Sequence, residues 1–501
     1  MPSATCAKPY TPRDYQITAI KFLLEHACAG LLLAPGLGKT SSTLAAIAFL
    51  KKRNMIGKTL IIAPLRPCYT VWPREIKKWL DFNHLTIEIL HGPGKDAALK
   101  RDADIYVINP DGLEWLLGIT KQKVKRMSKG RDGKLVEVER TEVKVDHKRV
   151  KQLGFDVLVV DELSMFKHHT TNRFKAMKEV LNYFSRRWGL TGSPASNGLM
   201  DLFGQCYILD QGDALSPYIT RFREKYFVPD KYGYDWKIKE DGAEKIYEAI
   251  APLMLRMGTE LLDMPELIYN VIPVEVPSAA REIYDALEED FITALESRIV
   301  SAPTAAAAST KLRQVANGAV FLDREILSSG LLMPKSKREW AELHTSKIEA
   351  LADLISELQG APLLVAYDFE HDLARLRQAF PKATFAADYN MKQFPELEDR
   401  WNRGEIPVLF GHPQSIGHGL NLQGTAQHVA WFSLTWNFEL FEQFVGRVWR
   451  QGNEHLKVFV HFLLAEGTID DVIYGIIQTK DSTQEALFNG LKALAAQRRN
   501  R

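Results

Sequence analysis

Short, unbroken apolar runs recur along this chain, and most are followed by a stretch of helical periodicity. In the first half, GLLLA (30–34) precedes KTSSTLAAIAFLKK (39–52), TLIIAP (59–64) precedes TVWPREIKKWL (70–80), and DIYVINP (104–110) precedes DGLEWLL (111–117). FDVLVVDE (155–162) precedes NRFKAMKEVLNYF (172–184), and RRWGLTGSP (186–194) closes a further short strand. A strand apolar on both faces must be covered on both, and amphipathic helices placed between such strands supply the cover. The arrangement that satisfies this is a parallel sheet reached by helical crossovers. One α/β domain is therefore predicted over residues 1–262.

The texture then changes. SAAREIYDALEEDFITALESRIV (278–300) reads as a helix, SAPTAAAAST (301–310) as a small-residue break, and KLRQVANGAVF (311–321) as a further helix. The alternation resumes with SKIEALADLISEL, APLLVAYD, FEHDLARLRQAF, IPVLFGHP, HVAWFSL, ELFEQFVGRVWRQ and LKVFVHFLLA. A second α/β domain is predicted over 263–480, with a helical insertion near 281–340 and a C-terminal helix and basic tail at 481–501. A chain of 501 residues exceeds one ordinary core, which fits two domains in tandem.

Charge and cysteine content narrow the functional classes. Lys+Arg 64 against Asp+Glu 62 gives a formal net charge of only +2, so any contact with a polyanion must come from local patches. One patch stands out: residues 121–151 hold twelve Lys/Arg and five Asp/Glu. Within it KLVEVERTEVKV alternates like an exposed ribbon and GRDGK supplies a turn, so a basic insertion is expected at about 119–152, either a solvated surface or a phosphate contact. Cys6, Cys28, Cys68 and Cys206 lie far apart, without metal-ligand or disulfide-framework spacing. The start MPSATCAKPYTPRDYQ lacks the order of a secretory signal, and no apolar run is long enough to cross a bilayer. A cytoplasmic protein without a membrane partner is expected.

Chemistry gathers at three places. LLLAPGLGKT (31–40) follows an apolar strand and opens an Ala-rich helix. Gly36 and Gly38 would let the backbone approach phosphate oxygens, Lys39 would meet the β- and γ-phosphates, and Thr40 would hold Mg²⁺. The strict phosphate-loop pattern asks for glycine at 33, where Leu33 stands. FDVLVVDELS ends a buried strand with two carboxylates. Asp161 would hold the Mg²⁺ and Glu162 would orient and deprotonate the attacking water. In LFEQFVGRVWRQG, Gln443, Arg447 and Arg450 are predicted on one face of a helix, and the two arginines are candidates to neutralise charge on the transferred phosphoryl group. They lie in the second α/β domain, so an ATP site completed by closure of the two domains is expected. By contrast His168 and His169 lack a metal-ligand set, His412 and His418 read as loop residues, and Trp72, Trp79, Trp115 and Trp188 read as packing.

In order and spacing the set resembles the paired RecA-like motor of superfamily 2 helicases, and most of all the Swi/Snf-type ATPases. YTPRDYQITAIKFL resembles their adenine-contacting glutamine motif at Gln16, LAPGLGKT motif I, LIIAPLRPCYTVWPREIKKW motif Ia and DIYVINPDGL motif Ib. VVDELS is similar to motif II, LTGSPASNGLMDLF to motif III, PLLVAYDF to motif IV, GHPQSIGHGLNLQG to motif V, and WNFELFEQFVGRVWRQG with EGTID to motif VI and its tail. LRQVANG and TSKIEAL are similar to signatures between the motifs. Coverage runs from about Tyr10 to Ile473. Ala34 and Pro35 replace the acidic residues usual in chromatin remodellers, and motif V carries His412 and His418 where small residues are usual. The likeness is closer to compact motors of bacteria and bacteriophages, which implies a host-cytoplasmic location.

The resemblance implies two RecA-like domains and a DNA-stimulated ATPase that moves along single-stranded, duplex or forked DNA as a monomer, with ATP and Mg²⁺. It assigns adenine recognition to Gln16, coupling of nucleotide state to motion to Ser193 and Gly417, and backbone contacts to Pro64, Arg66, Asn109, Gly419 and Asn421. Such contacts follow phosphate and sugar, so little sequence preference is expected. An RNA-directed helicase of the same superfamily and an ATP-switched nucleic-acid clamp without motor activity remain as alternatives.

Overall fold

In this computed structural model, residues 8–34, 36–129, 135–192, 198–229, 236–258, 264–296, 302–322, 339–417 and 420–479 are described. The chain divides into two units, Met1–Leu262 and Asp263–Arg501.

The first unit contains strands β1 (Cys28–Leu33), β2 (Lys58–Ile62), β3 (Ile87–Ile89), β4 (Ile105–Ile108), β5 (Thr120–Lys129), β6 (Leu135–Lys144), β7 (Phe155–Asp161), β8 (Arg186–Thr191), β9 (Phe227–Pro229), β10 (Trp236–Ile238) and β11 (Met254–Met257). Seven of them form one sheet in the order β11-β1-β8-β7-β2-β4-β3, with every neighbouring pair parallel. The apolar runs explain this: β1, β2 and β4 are buried almost end to end, as strands covered on both faces must be. Leu32, Leu60, Ile62, Leu158 and Val160 share a core with Phe174 and Met177 of the helix Asn172–Val180 and with Cys206 and Ile208 of the helix Leu202–Asp210. β11, which reads MLRM, is a short edge strand that the apolar-run criterion passes over.

Between β4 and β7 the basic segment forms an antiparallel pair, β5 with β6, in register from Thr120↔Lys144 to Lys129↔Leu135. Gly130–Lys134, where the turn is expected, lies outside the described residues.

The second unit contains β12 (Glu266–Val274), β13 (Ala319–Phe321), β14 (Trp340–Glu342), β15 (Leu363–Ala366), β16 (Thr384–Phe385), β17 (Val408–Gly411), β18 (His428–Trp431) and β19 (Lys457–Ala465). Its six-stranded sheet, β12-β19-β18-β15-β17-β16, is likewise parallel throughout. Successive strand residues enter opposite cores: Leu364, Leu409 and Val429 one, Leu363, Val365 and Phe410 the other. The fold is thus α/β with two parallel sheets in tandem, as the RecA-like reading requires.

The segment before that alternation departs from the sequence reading. APTAAAAST is helical, within Ala302–Ala316, because alanine is the strongest helix former and outweighs the small-residue signal. The helix stops before Gly318, whose φ of +93° sends the chain into β13, which pairs antiparallel with β14, so Ala319–Phe321 is strand where a helix is expected. β12 carries no continuous apolar signal, since about half of its positions are exposed along a sheet edge.

Candidate ATP-binding and hydrolysis site

Parallel strands bring their C-terminal ends to one edge, where loops can converge on a ligand. In the first unit β8 separates β1 from β7, and the register Leu32↔Thr191 and Asp161↔Leu190 sets the ends of all three level. The loop after β1 and the carboxylates ending β7 are therefore two strand spacings apart, about 10 Å.

Leu33 is the buried last residue of β1, which is why the chain has no use for a glycine there. The loop that follows turns on Gly36 and Gly38, with φ of +96° and +74°, a region that side chains other than glycine rarely adopt. Gly38 caps the helix Lys39–Lys52, and a Cβ built on it would fall 2.2 Å from Nε2 of Gln16. The Gln16 amide is thus packed onto the loop, while its Oε1 accepts from the Arg13 backbone N–H at 3.0 Å. Lys39 Nζ donates to the Leu33 carbonyl at 2.7 Å, and Thr40 stands in the helix's first turn.

Asp161 and Glu162 are held differently. Burial pushes the Asp161 carboxyl up to about 6; against this, the indole of Trp72 donates to its Oδ2 at 2.9 Å and Lys39 also favours the ionised form, while Glu162 adds to the rise. Glu162 has φ +78°, a costly backbone for a non-glycine residue, of the kind that concentrates at active sites. Its Oε1 accepts from Ser164 Oγ and Thr191 Oγ1, each at 2.8 Å. Sequence reasoning misses these supports. Trp72 reads as packing and is indeed fully buried, but a buried tryptophan still has one N–H to satisfy, and that is the signal for its second task.

The residues suit a magnesium nucleotide. Two positive-φ glycines, the first turn of a helix and a lysine favour phosphate, and a threonine hydroxyl with one carboxylate is a hard oxygen set of the kind Mg²⁺ takes alongside phosphates. Among the described residues no cluster of three or more His, Cys, Asp or Glu offers a self-contained metal cage.

Of the other predicted residues in this unit, Pro64 caps the helix Leu65–Thr70 and is partly exposed. Arg66 and Asn109 are each only 6% exposed, and burial lowers the Arg66 guanidinium to about 10. Ser193 lies outside the described residues.

In the second unit the arginines require a correction. The helix is Phe438–Val445 and ends at Gly446, so Arg447 and Arg450 stand in the turn beyond it rather than on its face. Gln443 keeps its place in the last helical turn, and its carbonyl accepts from Arg447 Nε at 3.0 Å. Arg447 Nη1 donates to the Leu420 carbonyl at 3.0 Å, and Arg450 Nη1 to Asn421 Oδ1 at 2.6 Å. The structure thus joins motif V to motif VI: Asn421, assigned to DNA by resemblance, anchors an arginine assigned to ATP. Gly417 packs beside Gln443, where a Cβ would come 3.5 Å from its side chain. His418 and Gly419 lie outside the described residues. Three signature segments also meet, with Lys347 Nζ bound to Asn317 Oδ1 at 2.8 Å and to Asp470 Oδ2 at 2.6 Å.

Comparison with known proteins gives the family of the chain. Residues 15–325 match the SNF2-related domain family and residues 346–452 the helicase conserved C-terminal domain. Protein p41 of Acyrthosiphon pisum secondary endosymbiont phage 1 is 32% identical over 97% of this chain and 99% of its own length. The Homo sapiens DNA annealing helicase and endonuclease ZRANB3 is 23% identical over 91% of this chain, which spans 38% of that protein. The Sulfolobus solfataricus SWI2/SNF2 ATPase core in complex with dsDNA is 21% identical, with 96% of each chain covered and a TM-score of 0.42. No helix among the described residues is long and apolar enough to cross a membrane.

Proposed function

The chain belongs to the SNF2-related family, and on that premise we propose that it is a DNA-stimulated ATPase that converts ATP hydrolysis into movement along DNA. The observation that carries this reading is the shared sheet edge in the first unit, where the Gly36–Thr40 loop, Gln16, Asp161 and Glu162 stand together. Gln16 would read the adenine, Gly36, Gly38 and Lys39 would bind the phosphates, and Thr40 and Asp161 would hold the Mg²⁺. A bound Mg²⁺ would supply charge neutralisation at the β- and γ-phosphates. Glu162 would accept the proton of the attacking water, and Arg447 and Arg450 would offset charge on the transferred phosphoryl group. Ser193, Gly417, Gly419 and Asn421 are proposed to link nucleotide state to DNA, and Pro64 with Arg66 and Asn109 to follow one strand's backbone.

The β5–β6 ribbon is proposed as a DNA-contacting wedge that adds strand separation at forks to translocation. The deciding experiment measures ATP turnover by the full chain alone and with single-stranded, duplex, forked and four-way DNA. Stimulation by DNA that vanishes in Lys39→Ala supports the motor; equal turnover with and without DNA overturns it. Stimulation by RNA in place of DNA would favour the RNA-directed alternative.

A further inference from the structure

Trp72 is the first residue of the helix Trp72–Lys78, is fully buried, and sits 89 positions before the carboxylate it touches. The sheet explains the meeting. β2 and β7 are parallel neighbours with Ile62 opposite Val160, so the chain leaving β2 departs beside the end of β7. It then runs through Leu65–Thr70 into Trp72–Lys78 with little freedom. Backbone bonds Cys68 N to Pro64 O (3.3 Å), Val71 N to Pro67 O (3.1 Å) and Glu75 N to Val71 O (2.9 Å) carry helical pairing across the junction. The indole is consequently locked both by packing and by a hydrogen-bonded backbone.

A carboxylate that ligates a metal must present one oxygen at a fixed angle, and free rotation about Cβ–Cγ works against that. An N–H fixed on Oδ2 stops the rotation and reserves Oδ1. We propose that Trp72 is a positioning residue for the ATPase reaction: its N–H orients the Asp161 carboxylate toward the magnesium nucleotide. The inference deepens the reading of Asp161 as the metal-facing carboxylate and rests on it.

The test uses the full chain and reads binding rather than turnover. A fluorescent ADP analogue is titrated at rising Mg²⁺, and separately in excess chelator. In Trp72→Phe, which keeps an aromatic ring and loses the N–H, the Mg²⁺ concentration giving half-maximal enhancement of binding should rise about tenfold. Binding in chelator should stay within about twofold, because the phosphate loop is untouched. In an Asp161→Asn background the same substitution should have no further effect on the Mg²⁺ response. If phenylalanine leaves a gap that unfolds the unit, a benzothienyl analogue at position 72, isosteric with indole but lacking the N–H, makes the same comparison. A folded variant with a wild-type Mg²⁺ midpoint overturns the role of Trp72 alone. Wild-type binding indifferent to Mg²⁺ would instead overturn the underlying reading of Asp161.

Discussion

The Thr191 hydroxyl donates to Oε1 of Glu162 at 2.8 Å, so the end of β8 grips the residue that follows β7. Glu162 needs that grip. Its backbone sits at φ +78° and ψ +77°, and its carboxylate is aimed by Thr191 and Ser164. Removing the carboxylate's basicity with Glu162→Gln should lower kcat for ATP by roughly 10²- to 10⁴-fold while leaving nucleotide binding intact. Thr191→Val, which keeps the shape and loses one donor, should lower kcat about tenfold with KM for ATP nearly unchanged. Steady-state kinetics at saturating DNA checks both. A Thr191→Val enzyme with wild-type kcat would remove the hydroxyl from the mechanism.

Gly38 tests the phosphate loop. A methyl group there meets two obstacles: a φ of +74°, and Gln16 Nε2 at 2.2 Å with Ser41 Oγ at 2.9 Å. The left-handed backbone alone costs a non-glycine residue about 1–2 kcal/mol. Gly38→Ala should therefore lower the thermal midpoint of the first unit by a few degrees and weaken nucleotide binding at least about tenfold. Adding Gln16→Ala should relieve the contact and recover part of the stability, without restoring affinity. Calorimetry with nucleotide titration separates these effects.

How far this arrangement is legible from sequence depends on whether the signal is local. GLLLA and FDVLVVDE announce themselves because a strand buried on both faces keeps a nearly continuous apolar run, broken in FDVLVVDE only by Asp156 before the closing carboxylates, and the glycines and carboxylates follow directly. ELIYNVIPV does not, because an edge strand exposes Tyr269 and Val271 and loses that continuity. The placing of Arg447 and Arg450 on a helix fails at Gly446, where three-residue spacing persists although the helix has ended. Trp72 with Asp161, Thr191 with Glu162 and Arg450 with Asn421 are joined only by sheet order or loop packing, and no one-dimensional pattern encodes that.

Acid should weaken the second unit through His428 and His461. His461 Nε2 lies 3.1 Å from His428 Nδ1, and Asn270 Nδ2 lies 3.0 Å from His461 Nδ1. The Asn270 amide nitrogen only donates, so His461 accepts from it and donates onward to His428, an arrangement that needs both rings neutral. Burial lowers both to about 4, with His455 adding to the effect on His428, and His428 to that on His461. In the unfolded chain each titrates near 6.5, so between about pH 6.5 and 4 the unfolded state binds more protons. Stability is complete above that window and falls as pH drops through it. Thermal midpoints at pH 7, 5.5 and 4.5 should show the decline, and His428→Phe should make it shallower. An unchanged slope in that variant would place the acid sensitivity elsewhere.

Strand separation should depend on the β5–β6 ribbon, whereas ATP turnover should not. Lys121 and Val143 are paired in the antiparallel register, so residues 122–142 can be replaced by a two-residue turn without moving the ends, and Val143 keeps its place in the core. Each arm is ten residues long, a reach of about 33 Å. The excised segment holds seven Lys/Arg and four Asp/Glu. If that excess of positive charge meets phosphates, its loss should weaken DNA binding and flatten its dependence on salt. The shortened protein should keep DNA-stimulated ATP turnover within about threefold, since the Gly36–Thr40 loop follows β1 and Asp161 and Glu162 stand at the end of β7, so general-base and electrostatic terms are left in place. Unwinding of a forked duplex, followed by strand displacement, should be lost. Unwinding at the wild-type rate would remove the ribbon from that role, and loss of ATP turnover along with it would mean that the ribbon serves the motor itself.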